Sequence, residues 1–82
     1  MATMTVDVNK FGFSILHVTF NLLSTPKALQ YSTDMVVDTI EIDRDENTQW
    51  FRDCWLAAIN DPEGNYHFWY DDYVISFGYL KD

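Results

Sequence analysis

Apolar positions along the chain fall into two periodicities. Phe11, Phe13 and Ile15 alternate on one face, and Leu16, Val18, Phe20 and Leu22 alternate on the other. This reads as one long strand with a bulge or face switch at Ile15-Leu16. Ser24-Thr25-Pro26 ends it, and Lys27 to Thr33 reads as a polar connection with room for one helical turn at Ala28-Leu29-Gln30. Met35-Val36-Val37-Asp38-Thr39-Ile40-Glu41-Ile42 is rich in β-branched residues and short, which predicts a second strand pairing antiparallel with the first. The period then changes. Trp50, Phe51, Cys54, Trp55, Ala58 and Ile59 recur in two adjacent rows, the broad apolar stripe of a helix. Asp43-Arg44-Asp45-Glu46-Asn47 supplies its N-cap candidates and first-turn carboxylates, and Asn60-Asp61-Pro62-Glu63-Gly64 stops it. Asn65 to Tyr70 and Tyr73 to Leu80 flank Asp71-Asp72 as a hairpin, with Tyr73, Ile75, Phe77 and Tyr79 on the face that should meet the helix. The expected fold is α+β: a two-layer β-β-α-β-β domain, an antiparallel sheet of about four strands with one helix on one face.

The chain has 82 residues, enough for one domain over residues 1–82. It is 48% hydrophobic and 17% aromatic, which argues against disorder in spite of a net charge of -8. Cys54 has no partner within the chain, so a disulfide-stapled scaffold is excluded. The segment Met1 to Asp7 lacks a basic region followed by an apolar one, and the longest apolar stretch, Ile15 to Leu23, is interrupted by His17, Thr19 and Asn21. A cytoplasmic protein is the expectation.

Charge is distributed unevenly. Residues 1–33 carry a net +1, residues 34–72 a net -9, and Lys81 balances Asp82 at the end. Such a chain repels phosphate and anionic lipid, so direct nucleic-acid or membrane-surface binding is not expected. Asp43-x-Asp45-x-Asn47 matches the first ligand positions of a calcium loop, but Thr48 stands where glycine is needed and Cys54 where a bidentate glutamate is needed. Cys54 with His17 or His67 has the elements of a nucleophile and base, yet Cys54 lies within the apolar stripe, where burial is the ordinary explanation. Gly12, Gly64 and Gly78 do not form a phosphate loop. No metal, cofactor or catalytic site is predicted.

The carboxylates remain as a group, and they steer toward a cationic partner. Asp34, Asp38, Glu41, Asp43, Asp45, Glu46, Asp71 and Asp72 are the candidate partner-binding acids, with Trp69 and Tyr70 as aromatic anchors. In size, acidity and lack of cysteine pairs the chain is similar in type to phage and mobile-element inhibitors of CRISPR and restriction systems, although it shares no motif with them. That likeness implies a non-enzymatic inhibitor, a mimic of nucleic acid that binds a basic nucleic-acid-binding protein. The ending Asp71-Asp72-Tyr73-Val74-Ile75-Ser76-Phe77-Gly78-Tyr79 is similar to the acidic, aromatic C-terminal strand of ribonuclease-colicin immunity proteins. An immunity protein against a nuclease toxin is therefore the alternative, and a structural or adaptor subunit the third. Either a monomer or a homodimer is compatible with these readings.

Overall fold

A computed structural model describes residues 2–81, leaving Met1 and Asp82, the acid set against Lys81, outside the described residues. Its elements in chain order are β1 (Thr3–Lys10), β2 (Phe13–Asn21), α1 (Thr25–Ile40), α2 (Arg44–Asn60), β3 (Asn65–Tyr70) and β4 (Tyr73–Leu80). The four strands form one antiparallel sheet in the order β2-β1-β4-β3. Met4, Val6 and Val8 of β1 and Ile75 and Phe77 of β4 turn to one face and meet Val36, Ile40, Phe51, Trp55 and Ala58 of the helices in a single core. Both helices thus cover one face of the sheet, and the fold is α+β.

Two segments differ from the sequence expectation. The N-terminal residues form the central strand β1, whose alternation of Met4, Val6 and Val8 with Thr5, Asp7 and Asn9 is as regular as any in the chain. The predicted polar connection Lys27 to Thr33 and most of the predicted second strand, Met35 to Ile42, are instead one helix, α1, so there are two helices rather than one, and β2 pairs with β1 in place of that strand. Its Val36 and Ile40 continue the helical row that Ala28 and Ser32 begin. Buried Ser32 and Thr33 disguise that row as polar. Their hydroxyls donate to the Leu29 carbonyl at 3.1 and 2.6 Å, which satisfies them without leaving the helix. Glu41 then stops α1 in a left-handed conformation at φ 57°.

The remaining elements follow their local signals. The bulge lies at Ile15: Val8 faces Leu16 and Asn9 faces Ser14, leaving Ile15 without a partner. However, β2 begins only at Phe13, because Phe11 and Gly12 form the hairpin turn, both with positive φ. Asp43 caps α2 by accepting from the Glu46 amide at 2.9 Å. The β3–β4 hairpin closes with Tyr70 opposite Tyr73, so Asp71-Asp72 is a two-residue turn.

Candidate protein-interaction surface

Chain connectivity brings three loops to one end of the molecule. Lys10 pairs with Tyr73, which sets the Phe11-Gly12 turn beside the Asp71-Asp72 turn. Trp50, in the first half of α2, stacks on Phe68 with ring centroids 4.5 Å apart and on Tyr70 at 6.5 Å. Ile59, near the other end of α2, lies with Tyr79 and Leu80 at the far end of the sheet. The start of α2 and the α1–α2 connection therefore sit at the hairpin-turn end.

That end is acidic. Glu41, Asp43, Asp45, Glu46, Asp71 and Asp72 all reach it and are exposed, as is Asp38 one turn back on α1. Asp43 and Glu46 remain available to solvent although the Asp43 carboxylate also caps the helix. Asp34 is half-buried and its carboxylate is bound by the Arg44 Nε, so the acid placed first in the candidate group is neutralised within the chain. The Lys10 ammonium lies over the rings of Tyr73 and Phe11, 5.3 and 5.9 Å from their centroids. Arg44 is thus occupied by a carboxylate and Lys10 by aromatic faces.

The aromatic residues divide differently from the sequence assignment. Trp69 is 74% exposed, on the sheet face away from the helices. Tyr70 is half-buried against Trp50 and belongs to the margin of the core. Two exposed rings were instead hidden in the apparent strand alternation: Phe11 is 72% and Phe13 75% exposed. Only the hairpin turn, which the Gly12 position hints at, reveals this. Of the immunity-like ending, Asp71 and Asp72 are exposed, while Ile75 and Phe77 are buried in the core.

The uncovered sheet face holds a polar row that the sequence reading did not assemble. His17, Asp7, Ser76 and His67 lie side by side across all four strands. Asp7 accepts from the Asn9 amide, from Ser14 Oγ at 2.7 Å and from His17 Nδ1 at 3.0 Å. A carboxylate only accepts, so His17 carries its proton on Nδ1 when neutral and turns Nε2 to solvent. His67 Nδ1 and Ser76 Oγ are 2.9 Å apart. These are the side chains of acid-base chemistry, but they lie on an open sheet face and chiefly satisfy one another across the strands.

Cys54 is 3% exposed, and burial, with the neighbouring Asp53 charge adding, pushes its thiol up to about 12. It is a buried apolar group without nucleophilic character at neutral pH. A pocket of about 310 Å³, lined by Ile59, Asp61, Glu63, Gly64, Tyr79 and Lys81, lies at the end opposite the Asp71-Asp72 turn. Among the described residues no group of His, Cys, Asp and Glu is placed to hold a metal ion, and no helix is long and apolar enough to cross a membrane. Asn47, the third position of the calcium-like spacing, donates to the Asp43 carbonyl at 2.5 Å and accepts from Trp50 Nε1 at 2.8 Å. No protein-family model, curated protein or solved structure matches the chain significantly.

Proposed function

We propose that this protein is a non-enzymatic inhibitor that uses its acidic end to occupy the phosphate-binding channel of a basic nucleic-acid-binding protein. A phage or mobile-element anti-defence role, against a CRISPR or restriction system, is the setting that this chemistry suits. The reading is carried by one observation. Three loops lie at one end of the molecule, so that exposed Glu41, Asp43, Asp45 and Glu46 share that end with Asp71, Asp72 and the exposed ring of Phe11. Carboxylates at such a surface substitute for phosphates and steer a cationic partner, while exposed aromatic rings supply the apolar contact that charge alone lacks. The acids come from two segments, the α1–α2 connection with the first turn of α2 and the Asp71-Asp72 turn, and the third loop contributes the Phe11 ring.

The test is capture of a partner from bacterial lysate, followed by competition. A partner that free double-stranded DNA or RNA displaces, whose binding falls steeply with salt, is the expected result. Neutralising Glu46→Gln, Asp71→Asn and Asp72→Asn together should weaken binding by about tenfold or more, while Asp53→Asn with Glu63→Gln, away from the acidic end, should leave it nearly unchanged. Binding that nucleic acid does not displace and that the triple neutralisation leaves intact overturns the proposal. Inhibition of a captured nuclease toxin, rather than competition for a nucleic-acid channel, would identify the immunity alternative.

A further inference from the structure

The sheet has two edges, β2 and β3, and they differ in length, charge and surroundings. β3 is six residues long and lies between Glu63 and the Asp71-Asp72 turn. β2 is nine residues long and contains no charged residue and no proline. The charges nearest to it in the chain are Lys10 and Lys27, and no acid occurs between Asp7 and Asp34. Natural edge strands are usually blunted by charge, proline or brevity. In β2 the irregularity is the bulge at Ile15, close to the turn end, and the stretch from Leu16 to Asn21 continues in regular register.

The hydrogen-bond pattern fixes which backbone groups of this edge are open. Leu22 donates to the Ala2 carbonyl at 3.0 Å, which makes Ala2 and Leu22 a directly bonded pair. The antiparallel alternation then turns the N–H and C=O groups of Phe20, Val18 and Leu16 toward β1, and those of Asn21, Thr19 and His17 outward. Three residues in alternation thus offer donors and acceptors to a further strand.

We infer that β2 is a homodimer interface, at which the β2 strands of two copies pair antiparallel about a two-fold axis at Thr19, so that Thr19 faces Thr19 and His17 faces Asn21 of the second copy, and join the sheets into one of eight strands. A second copy carries the same open edge in the same register, so the pairing is self-complementary and closed. Electrostatics favours this edge for a chain of net charge -8. Antiparallel pairing points the two acidic ends in opposite directions, separated by more than the length of the sheet and therefore by several screening lengths. Pairing through β3 would instead bring Glu63, Asp71 and Asp72 of two copies toward one interface. The dimer leaves both acidic ends open, so it is independent of the function proposed above.

A proline at position 19 separates this interface from the fold. The Thr19 N–H points outward and is not used by β1, so an edge strand tolerates proline there. Thr19→Ala is the control. It loses the same bond between Thr19 and Thr5 hydroxyls, 2.9 Å long, but retains the N–H. Light scattering after size-exclusion chromatography should show the wild type and Thr19→Ala approaching twice the 9.7 kDa chain mass as concentration rises to about 1 mM, with Thr19→Pro remaining at the chain mass. Amide exchange on the wild-type protein adds a measurement that does not depend on any variant folding. Protection at His17, Thr19 and Asn21 should rise with protein concentration. A chain that stays monomeric at about 1 mM, or a dimer that leaves these three amides unprotected, overturns the inference.

Discussion

At the scale of single residues, the most connected polar group is Asp7. Its side chain is only 18% exposed, and it accepts from Asn9, Ser14 and His17. Asp7→Ala removes three hydrogen bonds from an open sheet face where water can replace the partner of Ser14 and His17, and urea melts should show a loss of about 1 kcal/mol with the fold retained. His17→Ala removes one exposed partner and should cost less than 1 kcal/mol by rough expectation. Sequence alone did not link these residues, because the hydrogen bonds span separations of 7 and 10 positions that only the β1–β2 register brings together. Cys54, by contrast, was legible: a cysteine within a helical apolar stripe is buried, and in the structure it is. The burial that raises its thiol from 9.0 to about 12 has a sign that can be measured. The native state holds the thiol proton more tightly than the unfolded chain, so this contribution is intact below pH 9.0 and is lost as pH rises toward 12. Stability of the wild type should therefore fall more steeply over that window than stability of Cys54→Ala. The thiol should also resist labelling until the chain unfolds.

At the scale of elements, two glycines with positive φ separate conformational cost from steric cost. Gly12 and Gly64 have φ of 84° and 74°. A Cβ at Gly12 meets nothing, so Gly12→Ala should cost about 1 kcal/mol, the penalty for a left-handed residue. A Cβ at Gly64 would fall on the Tyr79 carbonyl oxygen, while the Gly64 carbonyl accepts from the Tyr79 amide at 2.6 Å. Gly64→Ala must therefore break the start of the β3–β4 pairing, and thermal melts should show a loss of roughly 3 kcal/mol or more. The same distinction between local and tertiary causes explains what was readable in the helices. The start of α2 was marked by Asp43 and by the carboxylates after it, all local signals. Asp43→Ala should cost about 1 kcal/mol in the same melts, through loss of the bond to the Glu46 amide. In α1 the local signal points the other way, because Val36, Val37 and Ile40 carry strand-like side chains. Packing of those residues on the sheet outweighs their small helix penalty of a few tenths of a kcal/mol each.

At the scale of the whole molecule, charge and topology act together. The acids of residues 34–72 are consecutive in sequence only in part, and it is the return of α2 and of the β3–β4 hairpin that brings Glu41 to Glu46 to the same end of the molecule as Asp71 and Asp72. A net charge of -8 on 82 residues also acts on the fold itself through self-repulsion. Raising sodium chloride from about 10 to about 200 mM should raise the melting temperature, because screening relieves repulsion most strongly where acids crowd. The triple variant Glu46→Gln, Asp71→Asn, Asp72→Asn should melt higher than the wild type at low salt, with the difference shrinking as salt is added. A salt-insensitive melting temperature would mean that the acids are too far apart to repel one another.

The amino-acid sequence by itself determined the α+β class, the helix over Arg44–Asn60 with its cap, the C-terminal hairpin and the position of the bulge, because each depends on side-chain periodicity or on the chemistry of a few adjacent residues. It also determined the amount and the segmental bias of the negative charge. Tertiary structure decided that Met35 to Ile40 is helical, that Phe11 and Phe13 are exposed, that Asp34 is paired with Arg44, and that His17, Asp7, Ser76 and His67 share one row. Those outcomes depend on which surfaces meet across long separations. Local propensity differences of a few tenths of a kcal/mol cannot fix them, whereas burial of a single large apolar side chain, worth about 2 kcal/mol, can.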